Sequence, residues 1–336
     1  MSETKLSRRR FISAAGAAAA YSAGPVGSAF AGATLADPSA AARTSSEDSK
    51  RKFFVVLSLG RIGFSGSFQL SVELATKHRF EGVDPDLGYF GKLSGDELKK
   101  QLDELKAKNL KLGAAGLPVE FREDQQAFSN DLKKLPAAAR VLERAGVTRV
   151  STWILSFSHQ LTYLQNFRMH AERLRECARI LGDHGQIFGL EYVGPRTSWR
   201  SGRHSFIHTL SELKELMVAI GTNNLGVQLD SYHWFNAEET EADLLTLRSQ
   251  DIVTVDFNDA PAGLTLDQQV DLSRELPAAT GVIPARSFLG ALVKIGYDGP
   301  IQAEPFNKAL QAMPLDEACA ATAAAVRKAF GIAGIT

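Results

Sequence analysis

Gly226-Val227-Gln228-Leu229-Asp230 is a short apolar run that ends on an acid, and the segment 188–304 repeats that design three more times. Phe188-Gly189-Leu190 ends on Glu191, Val253-Thr254-Val255 on Asp256, and Ile301-Gln302-Ala303 on Glu304. Between these runs lie longer amphipathic stretches, a rhythm that reads as parallel strands joined by helical crossovers. Working outward, the same alternation gives further strands at Phe53 to Leu59, Gly82 to Asp84, Leu110 to Gly116 and Arg149 to Leu155. The total is about eight, the number that closes a (β/α)8 TIM barrel.

The intervening stretches carry helical periodicity. Leu98, Leu102 and Leu105 recur on one face of Asp96 to Lys108 while Lys and Glu take the other, and Ala171 to Gly182 and Leu210 to Ile220 repeat the pattern. Glycines at Gly146, Gly182 and Gly221 close helices by the left-handed turn that sends the chain back to the next strand. A doubly wound open sheet is the alternative. Its glycine-rich phosphate fingerprint is missing after the first strand, where Leu59-Gly60-Arg61-Ile62-Gly63 is too sparse to count.

Ahead of the barrel, Ser7-Arg8-Arg9-Arg10-Phe11-Ile12 precedes an alanine-rich run, with Ala29-Phe30-Ala31 at cleavage spacing. This pattern predicts a Tat signal over residues 1–31, a flexible Ala/Ser/Thr-rich linker over 32–51, one barrel domain over 52–334, and export to the periplasm or beyond. The apolar run is too short to span a bilayer stably, and no later segment is a candidate. Export in the folded state suits a protein that takes up a metal before leaving the cytosol.

Lys plus Arg and Asp plus Glu both total 38, so the formal charge is zero and nothing in the balance favours nucleic acid or an anionic membrane. A homo-oligomer is compatible with the sequence, which does not specify one. Only two cysteines occur, Cys177 and Cys319, each in a predicted helix, so stability rests on packing and not on a disulfide framework.

In a barrel, chemistry sits at the carboxyl ends of the strands. If strands five to eight are neighbours, Glu191, Asp230, Asp256 and Glu304 converge on one volume, where unpaired carboxylates would repel strongly. A shared divalent cation is the simplest remedy, and an all-oxygen set favours Mg2+ or Mn2+ over Zn2+. Any one of these acids alone reads equally well as an ion-paired strand end; four in succession point to a common ion. His233 can reach the substrate side, with a buried structural role as its alternative. Arg274 can hold a substrate hydroxyl or carboxylate, or form a surface salt bridge. Trp153 and Trp234 can stack on a sugar face or serve as core.

These residues together resemble the xylose isomerase-like TIM barrel superfamily, through Gly189-Leu190-Glu191, Leu229-Asp230-Ser231-Tyr232-His233-Trp234, Val255-Asp256-Phe257-Asn258-Asp259-Ala260-Pro261 and Gly296-Tyr297-Asp298-Gly299-Pro300 to Ala303-Glu304-Pro305-Phe306. In its ketose 3-epimerase branch the resemblance implies Glu, Asp, His and Glu as metal ligands, matching Glu191, Asp230, Asp256 and Glu304 in order. Asp256 stands where that branch has histidine. His233 and Arg274 match positions that contact substrate oxygens, and Arg274 opens an Arg-x-x-Pro-Gly-like segment in which the glycine is Ala278.

The function expected is a metal-dependent sugar isomerase or epimerase. Glu191 and Glu304 would move a proton next to a carbonyl through an enediolate intermediate. A lyase or dehydratase acting on a keto-sugar or inosose is the close alternative, because the same intermediate can expel a β-hydroxyl. A noncatalytic sugar-binding protein is the alternative from another class. An apurinic endonuclease is disfavoured, lacking the histidine cluster and the basic face.

Overall fold

The computed structural model describes residues 50–335. The expected signal and nearly all of the expected linker lie outside the described residues. Arg51, assigned to the linker's end, is tied to the domain by its carboxylate partner Glu81 at 2.8 Å and by a 2.6 Å bond to the Phe53 carbonyl.

Eleven strands follow in chain order: β1 Phe54–Leu57, β2 Gly82–Val83, β3 Lys111–Leu112, β4 Ala115–Gly116, β5 Arg149–Trp153, β6 Phe157–Ser158, β7 Ile187–Glu191, β8 His204–Ser205, β9 Leu225–Asp230, β10 Ile252–Asp256 and β11 Pro300–Gln302. All but β6 and β8 form one parallel sheet in the order β3-β2-β1-β11-β10-β9-β7-β5-β4. The sheet's first and last members, β3 and β4, are two halves of a single stretch. The Gly113 N–H donates to Val83 O and the Leu117 N–H to Ser151 O, both at 2.9 Å, so that stretch bridges β2 and β5 and completes a curled eight-position barrel. The expected strand at Leu110 to Gly116 is therefore present but broken at its centre, and β6 and β8 form a small antiparallel pair outside the barrel.

The barrel's helices show why the sequence folds this way locally. Gly95–Ala107 opens on a reciprocal cap between Ser94 and Glu97 and buries Leu98 and Leu105. Leu210–Ile220 opens on Thr209, buries Leu210, Leu213, Leu216 and Ile220, and closes on left-handed Gly221. The helix expected at Ala171 to Gly182 spans Tyr163–Asp183, because Thr162 and Gln165 cap it eight residues earlier than the expected start. Its left-handed turn falls at Gly185 (φ 70°) instead of Gly182. Cys177 and Cys319 are buried and unpaired.

Inside the barrel, two glycines make room for one valine. A Cβ at Gly189 would lie 2.8 Å from Val253 Cβ, and one at Gly226 would lie 2.7 Å from Val253 Cγ2. Close packing there leaves no slack for a methyl group, so β7 and β9 present backbone to Val253 where β10 departs from regular register. No helix among the described residues is long and apolar enough to cross a membrane.

Candidate active site

The register of the parallel strands brings the four strand-end acids together. Asp256 pairs laterally with Asp230 on one side and with Gln302 on the other, and Glu304 follows β11 by two residues. Glu191 closes β7, two strands from β10. One carboxylate oxygen from each of Glu191, Asp230, Asp256 and Glu304 lies within 4.8 Å of every other, and all four residues are buried. Glu191, Asp230 and His233 form a second such group.

Beneath the acids lies a polar layer that the sequence reading did not identify. Alternate residues of a strand share a face, so Gln228, Thr254 and Gln302 point the same way as Asp230, Asp256 and Glu304. The Gln228 amide donates to Glu191 Oε2 (3.0 Å) and Asp256 Oδ2 (2.8 Å), and Gln302 donates to Asp256 Oδ1 (2.8 Å) and Thr254 Oγ1 (2.9 Å). Asn258 accepts the Glu304 backbone N–H at 2.7 Å. A glutamine inside an apolar strand, two residues before an acid, was the available signal.

Two guanidiniums join the cluster. Arg274 is wholly buried: Nη1 donates to Asp230 Oδ2 (2.7 Å), Glu304 Oε2 (3.3 Å) and the Glu304 carbonyl (3.2 Å), Nη2 donates to Asp271 Oδ1 (2.8 Å), and Nε donates to the Asp271 carbonyl (2.9 Å). Its plane lies between the rings of Tyr232 and Phe306, 4.9 and 4.8 Å from their centroids. The surface salt-bridge alternative for Arg274 is thereby overturned. The other guanidinium is Arg61, from the Leu59–Gly63 loop that resembled no phosphate fingerprint. Its Nη1 donates to Asp256 Oδ2 at 2.8 Å and Glu304 Oε1 at 2.9 Å.

His233 is fully buried in the short helix Ser231–Asn236, which Asp230 starts by accepting the Tyr232 N–H at 2.7 Å. The Gly194 N–H reaches His233 Nδ1 at 3.3 Å, and Nε2 lies 3.3 Å from Glu191 Oε1 and 3.2 Å from Arg274 Nη2. The backbone approach needs a glycine, since a Cβ at Gly194 would lie 2.4 Å from the His233 carbonyl oxygen. Trp153 ends β5 beside Glu191, partly exposed, with the Arg122 guanidinium 4.1 Å from its ring centroid. Trp234 is not brought to the cluster. It is 3% exposed, packs 5.5 Å from Phe288 and donates to the Thr240 carbonyl, so the core alternative is the one realised.

Among the described residues, Arg61 and Arg274 are the guanidiniums hydrogen-bonded to the four carboxylates, and Asp271 lies beside Arg274. Burial pushes the Asp256 carboxyl well above the usual carboxylate range; Arg61 opposes the shift, while Glu304, Glu191 and Asp230 add to it. Asp230 moves the same way for the same leading reason, with Arg274 and His233 opposing. This donor set fits a divalent cation: four buried oxygen ligands converge on one volume, each steered by a neighbouring amide or guanidinium.

Comparison with known proteins agrees with the barrel fold. A family model described as xylose isomerase-like TIM barrel matches residues 72–329. Among solved structures, a xylose isomerase domain protein from Alicyclobacillus acidocaldarius is 27% identical, with a TM-score of 0.73 over 84% of this chain and 99% of that one. D-psicose 3-epimerase from Clostridium cellulolyticum H10 shares the fold at 15% identity and TM-score 0.63, over 84% of this chain and 99% of the other. Among curated proteins, the 3-dehydroshikimate dehydratase of Pseudomonas putida is 29% identical over 138 residues, 40% of this chain but only 21% of its own length. The barrel, its converging acids and the extent of the family match establish that this chain belongs to the xylose isomerase-like TIM barrel family.

Proposed function

We propose that the chain is a divalent-metal-dependent enzyme that moves a proton on the carbon next to a carbonyl of a small polyhydroxylated substrate, isomerising or epimerising it through an enediolate. The observation that carries this reading is the buried convergence of four carboxyl groups at the carboxyl end of the barrel. Glu191, Asp230, Asp256 and Glu304 would hold the ion, Mg2+ or Mn2+ by ligand type. When bound, it supplies Lewis-acid polarisation of the substrate carbonyl.

The chain's own residues do the rest. Glu191 and Glu304, from strands on either side of β9 and β10, act as the carboxylates that remove and return the proton. Gln228 holds Glu191 Oε2, and Arg61 and Arg274 hold the two oxygens of Glu304, so both bases keep fixed orientations. Trp153 supplies a flat apolar face at the rim. Purified full-length protein loaded with Mg2+ or Mn2+ should exchange substrate C–H for solvent deuterium across a panel of ketoses and aldoses. Glu191→Gln or Glu304→Gln should each lower that exchange by about 10²-fold or more; exchange at the wild-type rate in both variants refutes the assignment.

Dehydration is the second reading, favoured by the dehydratase name of the curated relatives. It uses the same proton removal and then expels a β-hydroxyl. Loss of one water in the product mass separates it from isomerisation.

A further inference from the structure

Arg61 is the outermost charge of the cluster. Its side chain is 23% exposed, whereas that of Glu304 is 9% and those of Asp256 and Arg274 are 0%. The turn carrying it is closed by backbone bonds from Ile62 to Ser58 (3.2 Å), Gly63 to Gly60 (3.2 Å) and Phe64 to Leu59 (2.8 Å), and both Leu59 and Ile62 are buried. The guanidinium is thus anchored at its base by the turn and at its tip by Nη1, which donates to both Asp256 and Glu304. Among the described residues, Nη2 and Nε make no hydrogen bond, so one donor-bearing edge of a rigidly held fork is unused at the most accessible side of the site. An arginine guanidinium keeps its charge throughout the physiological pH range.

We propose that this edge of Arg61 is a carboxylate-binding subsite, so that the preferred substrates are polyhydroxylated acids and not neutral sugars. The proposal rests on the reading above for the same site and adds the substrate's class to it. A planar fork of N–H donors matches a planar carboxylate bidentately. Between anions, a singly charged carboxylate meets less repulsion from Asp256 and Glu304 than a doubly charged phosphate ester would. Asp256 and Glu304 position the guanidinium.

The test is calorimetric binding to full-length, Mg2+-loaded protein, using glucuronate and quinate, each against its neutral amide, with glucose 6-phosphate as the phosphate arm. At least one acid should bind about tenfold or more tightly than its amide. Arg61→Gln should bring that ratio to within about twofold of unity, and Arg61→Lys should restore part of it, since an ammonium keeps the charge but not the fork. Arg61→Lys also reads the ratio if Arg61→Gln fails to fold. The proposal falls if no acid outbinds its amide, if Arg61→Gln keeps the preference, or if the phosphate ester binds best. Bound metal and solvent-deuterium exchange, measured on the same samples, report separately on the proton-transfer reading, so either can fail alone.

Discussion

Ala278 shows how one residue can depart from a pattern and still be held. The resembling segment ends in glycine, and here the position is in the left-handed region with φ 55°. For a residue with a Cβ that conformation costs roughly 1–2 kcal/mol. Its carbonyl accepts Lys328 Nζ at 2.7 Å, a bond that any residue's backbone would preserve. Ala278→Gly should therefore relieve the strain, while giving back about 0.4–1 kcal/mol through the freer unfolded chain. The net expectation is a gain of roughly 0.5–1 kcal/mol, read from the urea midpoint at unchanged slope. Phe306, with φ 42°, is another of the left-handed non-glycine residues, and its ring covers Arg274, placing backbone strain beside the site. His170 is buried against Phe121 and Phe206, and burial pushes its imidazole down to about 3.

Elements are joined by a few buried polar groups, and Glu239 is one that can be titrated. It accepts the Leu210 N–H at 2.6 Å at the start of helix Leu210–Ile220 and the hydroxyl of Tyr192, the residue after β7. Burial pushes its carboxyl up from 4.5 to about 7. A folded-state value above the unfolded one means that the native state binds more protons between those limits, so stability falls as pH rises from 4.5 through 7. Glu239→Gln keeps a carbonyl for Leu210 and an amide for the Tyr192 oxygen without the charge. The variant should be less pH-sensitive, and above pH 7 more stable than wild type by an amount on the order of 3 kcal/mol at most, checked by urea unfolding at pH 5 and pH 8. At this scale the sequence was most readable where strands were long. β5, β7, β9 and β10 match their apolar runs within a residue or two, and the acids that end them met as expected. It was least readable where pairing was brief. β3 and β4 are two residues each, and nothing local says that Gly113-Ala114 interrupts them. The polar layer of Gln228, Thr254 and Gln302 was visible as alternation. Arg61, by contrast, reaches Asp256 across 195 positions of chain, a contact that only the closed sheet creates.

At the scale of the whole molecule, charge is balanced in sum but not in place. Lys plus Arg equals Asp plus Glu over the chain, yet among the described residues the carboxyl end of the barrel gathers Glu191, Asp230, Asp256, Glu304 and Asp271 around Arg61 and Arg274. Four of these acids stand at or just beyond the ends of different strands, so the repulsion between them is set against closure of the barrel itself, and the unfolded chain, with its acids far apart, escapes it. An ion that binds the folded cluster and not the dispersed acids must then stabilise the fold by mass action. At a free concentration of 100 times Kd the gain is about 2.7 kcal/mol, which at about 2 °C per kcal/mol for a domain somewhat larger than 250 residues is about 5 °C in Tm. Chelator-treated protein should melt lower by that amount, recover with Mg2+ or Mn2+, and show a melting temperature that climbs with the logarithm of ion concentration. Asp230→Asn should remove most of the ion-dependent rise. A melting temperature indifferent to chelator and to both ions, with no metal in the dialysed protein, would mean that the cluster is a network of ion pairs without a shared cation.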